Sequence, residues 1–441
     1  MQKAEVILSL LSKKARNDEN FVFRRLYRNL FRSDFYRKAW IDEKQKNNGS
    51  FHGNQGDLVD SIIQKVKNET YHPDFFLKNK IPPFADQLVH GAVTQLLEAI
   101  YEPRFLETSH GFRPYKSCLT ALQALQTTCG GTNWVIQGQI HDFPGQMNHD
   151  VMIRLLSKRI EDGRLLELVR RFLKAGYIQE KKLSSLLMNI CLHELDRFMQ
   201  DFPSFPASYP MMKSDGVHVK YIRYADEFLV CIRGSKGLAK EIRESIQLWL
   251  RNSLLLELDR KKTMVIHLRE QRARFLDYEI TTSLCYRNIT DKKAHIDGIR
   301  LLVPNDMIKK KIKPFSKNGR PVHHKARIHL PLPDLIKLYH TEIRQLYNYY
   351  CLAVDVNAKL NKFRYYHYSS LLKTVARKEK SSVRKVLNKY GVSVKGRQGT
   401  GFKKLLGWKE SSPKGEVKVI TYFNDSLKKK DVPDPVQVER P

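Results

Sequence analysis

The sequence predicts an α+β fold, in which a small antiparallel sheet backed by helices is followed by a helical C-terminal region. Residues 220–232 indicate the sheet, because two hydrophobic strands flank a tight turn that carries Asp226 and Glu227. Apolar residues share one helix face over Ala85–Ile100. After about residue 300, helical spacing continues with few acidic residues. This mixture of elements is typical of the α+β class.

The other elements follow from local patterns along the chain. Phe21–Lys44 mixes aromatic residues with arginines, largely at helical spacing, and Asn47–Gly56 is a polar loop that contains glycine. The run Trp134–Ile140 predicts a buried strand. The remaining predicted elements are helices over Val151–Leu173, Leu183–Met199 and Gly237–Leu250, short strands over Thr263–Leu268 and Phe275–Ile280, and a helical stretch over Asp334–Tyr390.

The charge of the chain points to a polyanionic partner. Its 441 residues include 78 lysines and arginines against 46 acidic residues, which gives a net charge of +32. A charge of this size favours nucleic acid as the partner and argues against a small-molecule substrate. No apolar run approaches the ~20 residues needed to cross a bilayer, so we expect no membrane partner.

The cysteines and the N-terminus indicate a reducing compartment. Cys118, Cys129, Cys191, Cys231, Cys285 and Cys351 are scattered without zinc-type spacing, so reduced and partly buried thiols are expected. The first 20 residues do not resemble a secretory or transit peptide. We therefore expect the chain to act in the compartment where it is made.

Positive charge is concentrated in the helical C-terminal region. Residues 301–410 contain 25 lysines and arginines and only six acidic residues. Basic residues recur at mostly helical spacing over 373–389 and form a stripe that can follow a phosphate backbone. The tyrosines of this region favour packing between helices over stacking on bases. His323 and His324 have no acidic or cysteine neighbours, so we expect them to face RNA or simply to be exposed, and not to be metal ligands.

Six sequence blocks resemble one family when they are taken in order. They are Ala85–Val89, Ile100–Phe105, Gly111–Cys118, Leu186–Asp196, Tyr221–Glu227 and Ile343–Tyr350. Across roughly residues 19–410 the chain resembles the group II intron-encoded reverse transcriptase/maturase proteins. The resemblance implies reverse-transcriptase-like fingers and palm followed by a helical thumb, called maturase domain X, which helps the intron RNA to fold for splicing.

The resemblance also implies a division of the chain. Residues 1–84 would form an N-terminal basic helical region with truncated fingers, and residues 85–300 the fingers and palm. Residues 301–410 would form the thumb, and residues 411–441 a polar, frayed tail.

The residues that carry polymerase chemistry in this family are altered here. Asp226 matches the family's catalytic acid, but its turn neighbour is Glu227, and Gln139 stands at the position of the second metal ligand. An amide is a poor ligand for Mg²⁺, which prefers carboxylate and phosphate oxygens. Asp142 lies three residues beyond Gln139, and strand parity would direct it to the opposite face. Pro144 stands where the family has an aromatic residue.

Two further segments depart from the family pattern. A glycine loop that lets backbone approach the nucleotide corresponds here to Ile178–Lys181. The basic fingers hairpin is replaced by Pro73–Pro83, whereas Lys262 and Thr263 persist in a later motif. We therefore predict an inactive polymerase without catalytic residues or a bound metal, in which Asp226 and Glu227 are vestigial.

The sequence thus predicts an intron maturase that binds its host group II intron RNA and assists its folding and splicing. We expect no cofactor on the protein, while the partner ribozyme requires Mg²⁺. A residual RNA-directed DNA polymerase and a general RNA chaperone remain alternatives, and a homodimer stays open. Degenerate polymerase motifs favour an organelle, either plastid or mitochondrion, over a bacterial cytoplasm. The predicted RNA-binding residues are Arg24, Arg25, Arg28, Arg32, Arg113, Lys116, Lys373, Arg377, Lys378, Lys380, Arg384, Lys385 and Lys389.

Overall fold

The computed structural model describes most of the chain, which forms two compact units. The described residues are 3–46, 55–74, 83–176, 181–202, 217–285, 295–395, 402–411 and 417–431. Unit 1 comprises Met1–Lys116 and Trp134–Val265, and unit 2 comprises Ser117–Asn133 and Ile266–Pro441. Most of the predicted loop 47–56, much of Pro73–Pro83 and most of Ile178–Lys181 lie outside the described residues.

Helices dominate the chain, and short strands form several small sheets, which confirms the predicted α+β class. The helices are α1 (Ala4–Asn17), α2 (Ser33–Lys46), α3 (Gln55–Lys67), α4 (Phe84–Tyr101), α5 (Cys118–Thr128), α6 (Phe143–Gln146), α7 (His149–Ser157), α8 (Gly163–Lys174), α9 (Lys181–Asp201), α10 (Lys236–Leu254), α11 (Asn305–Ile312), α12 (Leu332–Tyr350), α13 (Val356–Lys378) and α14 (Val383–Tyr390).

Most of the strands are short. They are β1 (Phe23–Arg24), β2 (Trp134–Gln139), β3 (Ile160–Glu161), β4 (His218–Tyr224), β5 (Glu227–Arg233), β6 (Met264–His267), β7 (Ala273–Phe275), β8 (Tyr278–Cys285), β9 (His295–Leu302), β10 (Ser316–Lys317), β11 (Arg320–Pro321), β12 (Gly391–Lys395), β13 (Phe402–Ser411) and β14 (Val417–Thr421).

Helix α4 is the central helix of unit 1. It packs against α1, α2 and α9, so polar residues such as Asp86 and Thr94 are buried together with its apolar face. The buried Asp86 carboxylate accepts hydrogen bonds from the Tyr71 hydroxyl and, at 2.9 Å, from the backbone N–H of Asp74. The predicted helix is confirmed, but it is enclosed by neighbours rather than buried along one face only.

The sheet that carries β4 and β5 has four strands in the order β4–β5–β2–β6, and β5 pairs antiparallel with both β4 and β2. Strand β5 is central, and Phe228, Leu229, Val230, Cys231 and Ile232 are all buried. Burial on both faces explains its continuous hydrophobic run. Helix α10 packs against β2, and its N-terminus is capped by the Ser235 hydroxyl, which accepts from the N–H of Leu238 at 3.1 Å.

Two predicted elements are each divided in the structure. The helical region 151–173 consists of α7 and α8 with β3 between them, because Asn148 and Asp162 each cap a separate helix start. The predicted strand over Phe275–Ile280 is a hairpin of β7 and β8. Leu276 and Asp277 form its turn in the left-handed region, with φ of 51° and 57°.

The arginine-rich segment near the N-terminus is only partly helical. Phe21–Lys44 contains β1, a 3-10 helix over Tyr27–Phe31 and most of α2. Strand β1 pairs in parallel with β3, which fixes Phe23 opposite Ile160. Tertiary pairing therefore overrides the helical spacing in the first part of this segment.

Unit 2 is built around α12 and α13, and the tyrosines of α12 pack as predicted, whereas Tyr365 of α13 is exposed. Tyr278, Tyr339, Tyr349 and Tyr350 are fully buried, and the rings of Tyr278 and Tyr350 lie 5.0 Å apart. The Tyr349 hydroxyl donates to the carbonyl of Leu276 at 2.6 Å.

The C-terminal segment is more ordered than its polar composition suggests. Strand β14 pairs with β13, and Tyr422, Phe423 and Leu427 are buried beyond it. The expected frayed tail is therefore wrong for residues 417–431. The domain boundaries inferred from the sequence otherwise stay predictions.

The cysteines behave as expected where they are described. Cys118, Cys129, Cys191, Cys231 and Cys351 are all buried. The side chain of Cys285 lies outside the described residues. None of the described helices is both long and apolar enough to cross a membrane.

A buried polar cluster holds α12, α13 and the C-terminal segment together. His367 contacts the Glu342 carboxylate through Nε2 at 2.9 Å and the Tyr422 hydroxyl through Nδ1 at 3.0 Å. Arg327 donates two hydrogen bonds to Glu342, at 2.8 and 2.6 Å. Because an ionised carboxylate only accepts, the neutral His367 ring carries its proton on Nε2 and accepts from Tyr422 through Nδ1.

The cluster predicts a loss of stability in acid. Burial lowers the pKa of His367, so the unfolded chain takes up a proton below pH 6.5 that the folded chain does not. Burial raises the pKa of Glu342, but hydrogen bonds from His367 and Arg327 outweigh it and hold that pKa at about 2. Both groups therefore make unfolding easier as the pH falls, His367 below 6.5 and Glu342 from about 4.5 down to 2.

We expect Glu342→Gln to lower the free energy of unfolding at pH 7 by about 1–3 kcal/mol, because Arg327 loses its charged partner. The same variant should flatten the decline between pH 4.5 and 2. Urea midpoints measured across this range test both effects, with Asp334→Asn, an exposed acid of α12, as the matched control. An acid decline of Glu342→Gln as steep as that of the unmodified chain would contradict the assignment.

Candidate nucleic-acid interface and the altered palm site

The acid-bearing turn lies between β4 and β5. Tyr224 pairs with Glu227, so Ala225 and Asp226 form a two-residue turn, with Ala225 at a φ of 56°. Gly111 packs directly against it, since a Cβ at that position would lie 2.3 Å from the Ala225 nitrogen. Only glycine permits this approach, which explains one residue of the Gly111–Cys118 block.

Arg223, just before the turn, is fully buried and uses all of its donors. Nε and Nη2 donate to the two carboxylate oxygens of Asp196 at 2.7 and 2.6 Å. Nη1 donates to the Asn189 amide oxygen at 3.0 Å and to the Ala225 carbonyl at 2.9 Å. Nη2 also donates to the Ser109 hydroxyl at 2.7 Å. The guanidinium therefore joins α9, the turn and the 108–111 segment.

The surrounding groups complete this network. The Tyr221 hydroxyl donates to Asp196 at 3.0 Å, and the Asn189 amide donates to the Gly111 carbonyl at 2.8 Å. Sequence reasoning quoted Asn189, Asp196 and Arg223 within family blocks but gave none of them a role. Oppositely charged residues on two predicted core elements were the signal that could have identified the pair.

Gln139 lies at the end of β2, directly beside the turn acid. Its Nε2 donates to Asp226 Oδ2 at 2.9 Å, and β-pairing sets Gln139 opposite Glu227. The backbone is fixed as well, because the Gln139 carbonyl accepts from the N–H of Asp259 at 2.8 Å. Sequence reasoning placed Gln139 and Asp226 together, and the structure does so.

Asp142 lies beyond the strand rather than on its opposite face. Strand β2 ends at Gln139, and Asp142 is an exposed residue at a φ of 34° before the short helix α6. The parity argument for Asp142 is therefore wrong, because the alternation of a strand does not continue into this turn. Pro144 lies in the first turn of α6 and is exposed.

The palm site does not suit a pair of Mg²⁺ ions. Two-metal chemistry requires carboxylates that converge from neighbouring strands, whereas here an amide N–H occupies Asp226 Oδ2. Among the described residues, no group of three or more His, Cys, Asp or Glu side chains is arranged to hold a metal. Thr263 remains close, since its Oγ1 accepts from the Gln139 N–H at 3.4 Å.

The predicted RNA-binding residues of unit 1 fall into two groups. Arg25 and Arg28 are exposed and make no ion pair with the described residues, whereas Arg24 pairs with Glu161 at 2.8 Å. Arg32 donates two hydrogen bonds to Asp34, at 3.1 and 2.8 Å, so its charge is already matched.

Arg113 is an internal residue and not an exposed RNA contact. Its guanidinium is buried, pairs with Glu102 at 2.9 Å and donates to the carbonyls of Leu106 and Ser109. Lys116 pairs with Glu107 and is largely covered. The prediction that Arg113 binds RNA is therefore corrected. Its guanidinium N–H groups are directed at partners inside the chain, and Arg113 belongs to the Gly111–Cys118 block, which packs against the palm turn.

The predicted stripe of unit 2 is also divided by the structure. Lys373 and Lys378 donate to backbone carbonyls of Pro321 and Leu330 at 2.7 and 2.6 Å, and Lys389 pairs with Glu379 at 2.9 Å. The exposed residues of the stripe that make neither an ion pair nor a side-chain hydrogen bond with the described part of the chain are Arg377, Lys380, Arg384 and Lys385. We call these four residues the α13–α14 cations.

His323 and His324 are half-buried rather than exposed. The His324 ring lies 5.6 Å from that of Phe315, and its backbone N–H donates to Thr374 Oγ1 at 2.9 Å. Burial lowers the pKa of His324. The expectation of exposure is wrong, because this segment packs on α13.

A four-stranded palm sheet with an acid-bearing turn, together with a strongly basic helical unit, defines a protein of the nucleic-acid polymerase class. Profile comparison agrees, since residues 78–280 match the family "Reverse transcriptase (RNA-dependent DNA polymerase)" and residues 297–432 match "Type II intron maturase".

Individual relatives make the assignment more specific. The chain is 32% identical to the group II intron-encoded protein LtrA of Lactococcus lactis, over 88% of this chain and 80% of the relative. It is 28% identical to a 91 kDa protein in the cob intron of Schizosaccharomyces pombe, over 86% of this chain and 58% of that protein. It is 23% identical to the mitochondrial nuclear intron maturase 1 of Arabidopsis thaliana, over 48% and 42%. The chain belongs to the family of group II intron-encoded reverse transcriptase/maturase proteins.

The buried network predicts a large cost for removing Arg223. We expect Arg223→Met to lower the free energy of unfolding by about 3–5 kcal/mol, because Asp196 is left as an unpaired buried charge. Arg233→Met, at the exposed end of β5, is the matched control and should cost little. The double variant Arg223→Met/Asp196→Leu should recover part of the loss. A cost below 1 kcal/mol for Arg223→Met in urea unfolding would refute this role.

Proposed function

We propose that this chain is a splicing cofactor that binds its host group II intron RNA, helps it to fold, and has lost polymerase activity. In this proposal the RNA performs the transesterification, and the protein neutralises phosphates where RNA helices must approach one another. The proposal is supported by the maturase match over residues 297–432 and by the altered palm.

The hydrogen bond between Gln139 and Asp226 is the observation that carries the loss of polymerase activity. Polymerisation needs two carboxylates to offset the charge of the metal pair and of the reacting phosphate. Here the second position supplies an amide, and its N–H at 2.9 Å directs a positive partial charge at Asp226. A cation would have to break this bond and would gain only a neutral ligand.

The α13–α14 cations are the strongest RNA-binding candidates of the predicted set. Arg384 and Lys385 lie in the first turn of α14, where the helix dipole disfavours positive charge. Lys380 lies in the turn before it at a φ of 48°. Positive charges at these positions are unfavourable within the chain itself. Binding of a polyanionic partner would explain why they cluster there.

Cofactor and location follow from the same proposal. The protein would hold no cofactor, and the Mg²⁺ needed for splicing would be bound by the ribozyme RNA. Relatives come from a bacterium and from mitochondria. We place the gene in an organelle, either plastid or mitochondrion, with a bacterial cytoplasm as the alternative.

A residual RNA-directed DNA polymerase is the second candidate function. It is favoured by the retention of Asp226 and Glu227 on the turn, of Thr263 beside Gln139, and of Lys262 in the sequence. A general RNA chaperone differs from both candidates in lacking preference for one intron.

Primer extension separates the first two candidates. We expect the purified chain to synthesise no DNA with Mg²⁺ or Mn²⁺, and Asp226→Ala to splice the host intron as well as the unmodified chain. The physical reason is that Asp226 has no partner carboxylate on β2. DNA synthesis that Asp226→Ala abolishes would overturn the proposal.

The α13–α14 cations give a second prediction. Replacing Arg377, Lys380, Arg384 and Lys385 by glutamine should weaken binding to the intron RNA at least tenfold at 100 mM salt. The slope of log affinity against log salt should fall by roughly 0.7–0.9 for each lost phosphate contact. Filter binding over 50–200 mM salt measures both quantities.

The control for this variant keeps the same charge change at other exposed cations. Lys13, Arg233, Lys240 and Arg260, all exposed in unit 1, can be replaced by glutamine together. Equal losses in the two variants would show that overall charge, not the α13–α14 cations, drives binding. Equal affinity for an unrelated structured RNA would instead favour the chaperone.

A further inference from the structure

Residues 307–333 form a stretch of unit 2 without a single acidic residue. Eight of its residues are basic, namely Lys309, Lys310, Lys311, Lys313, Lys317, Arg320, Lys325 and Arg327. All are exposed except Lys311, which is half-buried, and Arg327, which pairs with Glu342. The exposed cations make no ion pair with the described residues. Such a surface repels itself unless a polyanion lies against it.

A tight hairpin lies at the centre of this stretch. Strands β10 and β11 pair so that Lys317 stands opposite Arg320, and Asn318 and Gly319 form the turn with φ of 50° and 72°. Two consecutive left-handed residues of this kind give the turn that matches the twist of a hairpin. We call residues 316–321 the basic hairpin. Its tip, residues 317–320, is exposed.

Helix α13 holds the basic hairpin in place. Lys373 Nζ donates to the Pro321 carbonyl at 2.7 Å, and the Tyr366 hydroxyl donates to the Gly319 carbonyl at 3.2 Å. These two donors are seven residues apart on one helix, and they grip the second strand and the turn of the hairpin. The two hydrogen bonds therefore fix the position of the hairpin on α13.

The chain after the hairpin is held by the same helix. The His324 N–H donates to Thr374 Oγ1 at 2.9 Å, and Lys378 Nζ donates to the Leu330 carbonyl at 2.6 Å. A lysine ammonium that binds a protein carbonyl directs that donor inward. Lys373 and Lys378 thus each use an ammonium N–H to hold the backbone of this stretch in position.

We propose that the basic hairpin, with the acid-free stretch around it, contacts the phosphodiester backbone of the intron RNA, and that Lys373 and Lys378 position it. This inference rests on the proposed function and adds a second RNA-contacting surface to the α13–α14 cations. Lys317 and Arg320 are the contacting residues. Lys373 and Lys378 act through the backbone carbonyls that they hold.

The first experiment measures binding of the full chain to a transcript of its host intron by filter binding over 50–200 mM salt. Lys317→Gln/Arg320→Gln should weaken binding about tenfold at 100 mM salt and lower the salt slope by about 0.7–0.9 per lost contact. Arg233→Gln/Lys240→Gln removes the same charge from exposed positions of unit 1 and should leave both values unchanged. Unchanged binding in the hairpin variant, or equal losses in both pairs, overturns the proposal.

A second experiment separates positioning from direct contact. Lys373→Met should weaken binding several-fold alone but have no further effect in the Lys317→Gln/Arg320→Gln background, because the contacts that it supports are already absent. Lys373→Arg keeps a donor and should retain most of the affinity. Additive losses would show that Lys373 touches RNA itself and would refute the positioning role.

Amide hydrogen exchange gives a readout that does not involve RNA. Lys373→Met should increase exchange in the hairpin and in residues 322–324, while α12 stays protected. Unchanged exchange there also refutes the positioning role. Failure of the proposed function is a different result: the unmodified chain then shows no preference for its host intron, and both proposals fall.

Discussion

The fully buried Arg223 determines how the palm of this protein can be arranged. Its five donors bind Asp196, Asn189, Ser109 and the Ala225 carbonyl, so one guanidinium fixes helix α9, the segment beside Gly111 and the acid-bearing turn. A buried ion pair is not by itself a strong source of stability, because desolvation offsets much of its Coulomb energy. Its main effect here is to fix the positions of the surrounding segments, because each N–H of the guanidinium is directed at one acceptor.

This constraint explains why the palm can keep its shape although Gln139 stands at the position of a metal ligand in the family. Arg223 donates a hydrogen bond to the carbonyl of Ala225 in the turn, and Gly111 packs against the backbone of the same residue. Neither contact depends on a metal ion. Gln139 can therefore replace a carboxylate without loss of the sheet, and its amide satisfies Asp226 through a hydrogen bond. Structural support and catalytic ligation are carried by different residues, so one can be lost without the other.

Positive charge in unit 2 is used in two distinct ways. Arg327 and Lys389 are matched by acids, and Lys373 and Lys378 bind backbone carbonyls. The α13–α14 cations and the basic hairpin remain exposed and form no ion pair with the described chain. Net charge alone does not distinguish these groups. Their partners do, and those of Lys373 and Lys378 lie 52 and 48 residues away in the sequence.

The sequence by itself determined the α+β class, the position of the palm turn, the place of Gln139 beside it and the helical nature of the basic C-terminal region. These features depend on local periodicity and on ordered motifs, which survive in a single sequence. It did not determine that Arg113 is buried, that β2 ends before Asp142, or that residues 417–431 pack as part of unit 2. Each of these depends on contacts between residues far apart in the chain, and only the tertiary structure supplies the partner that decides whether a charge, a strand end or an apolar side chain is free or enclosed.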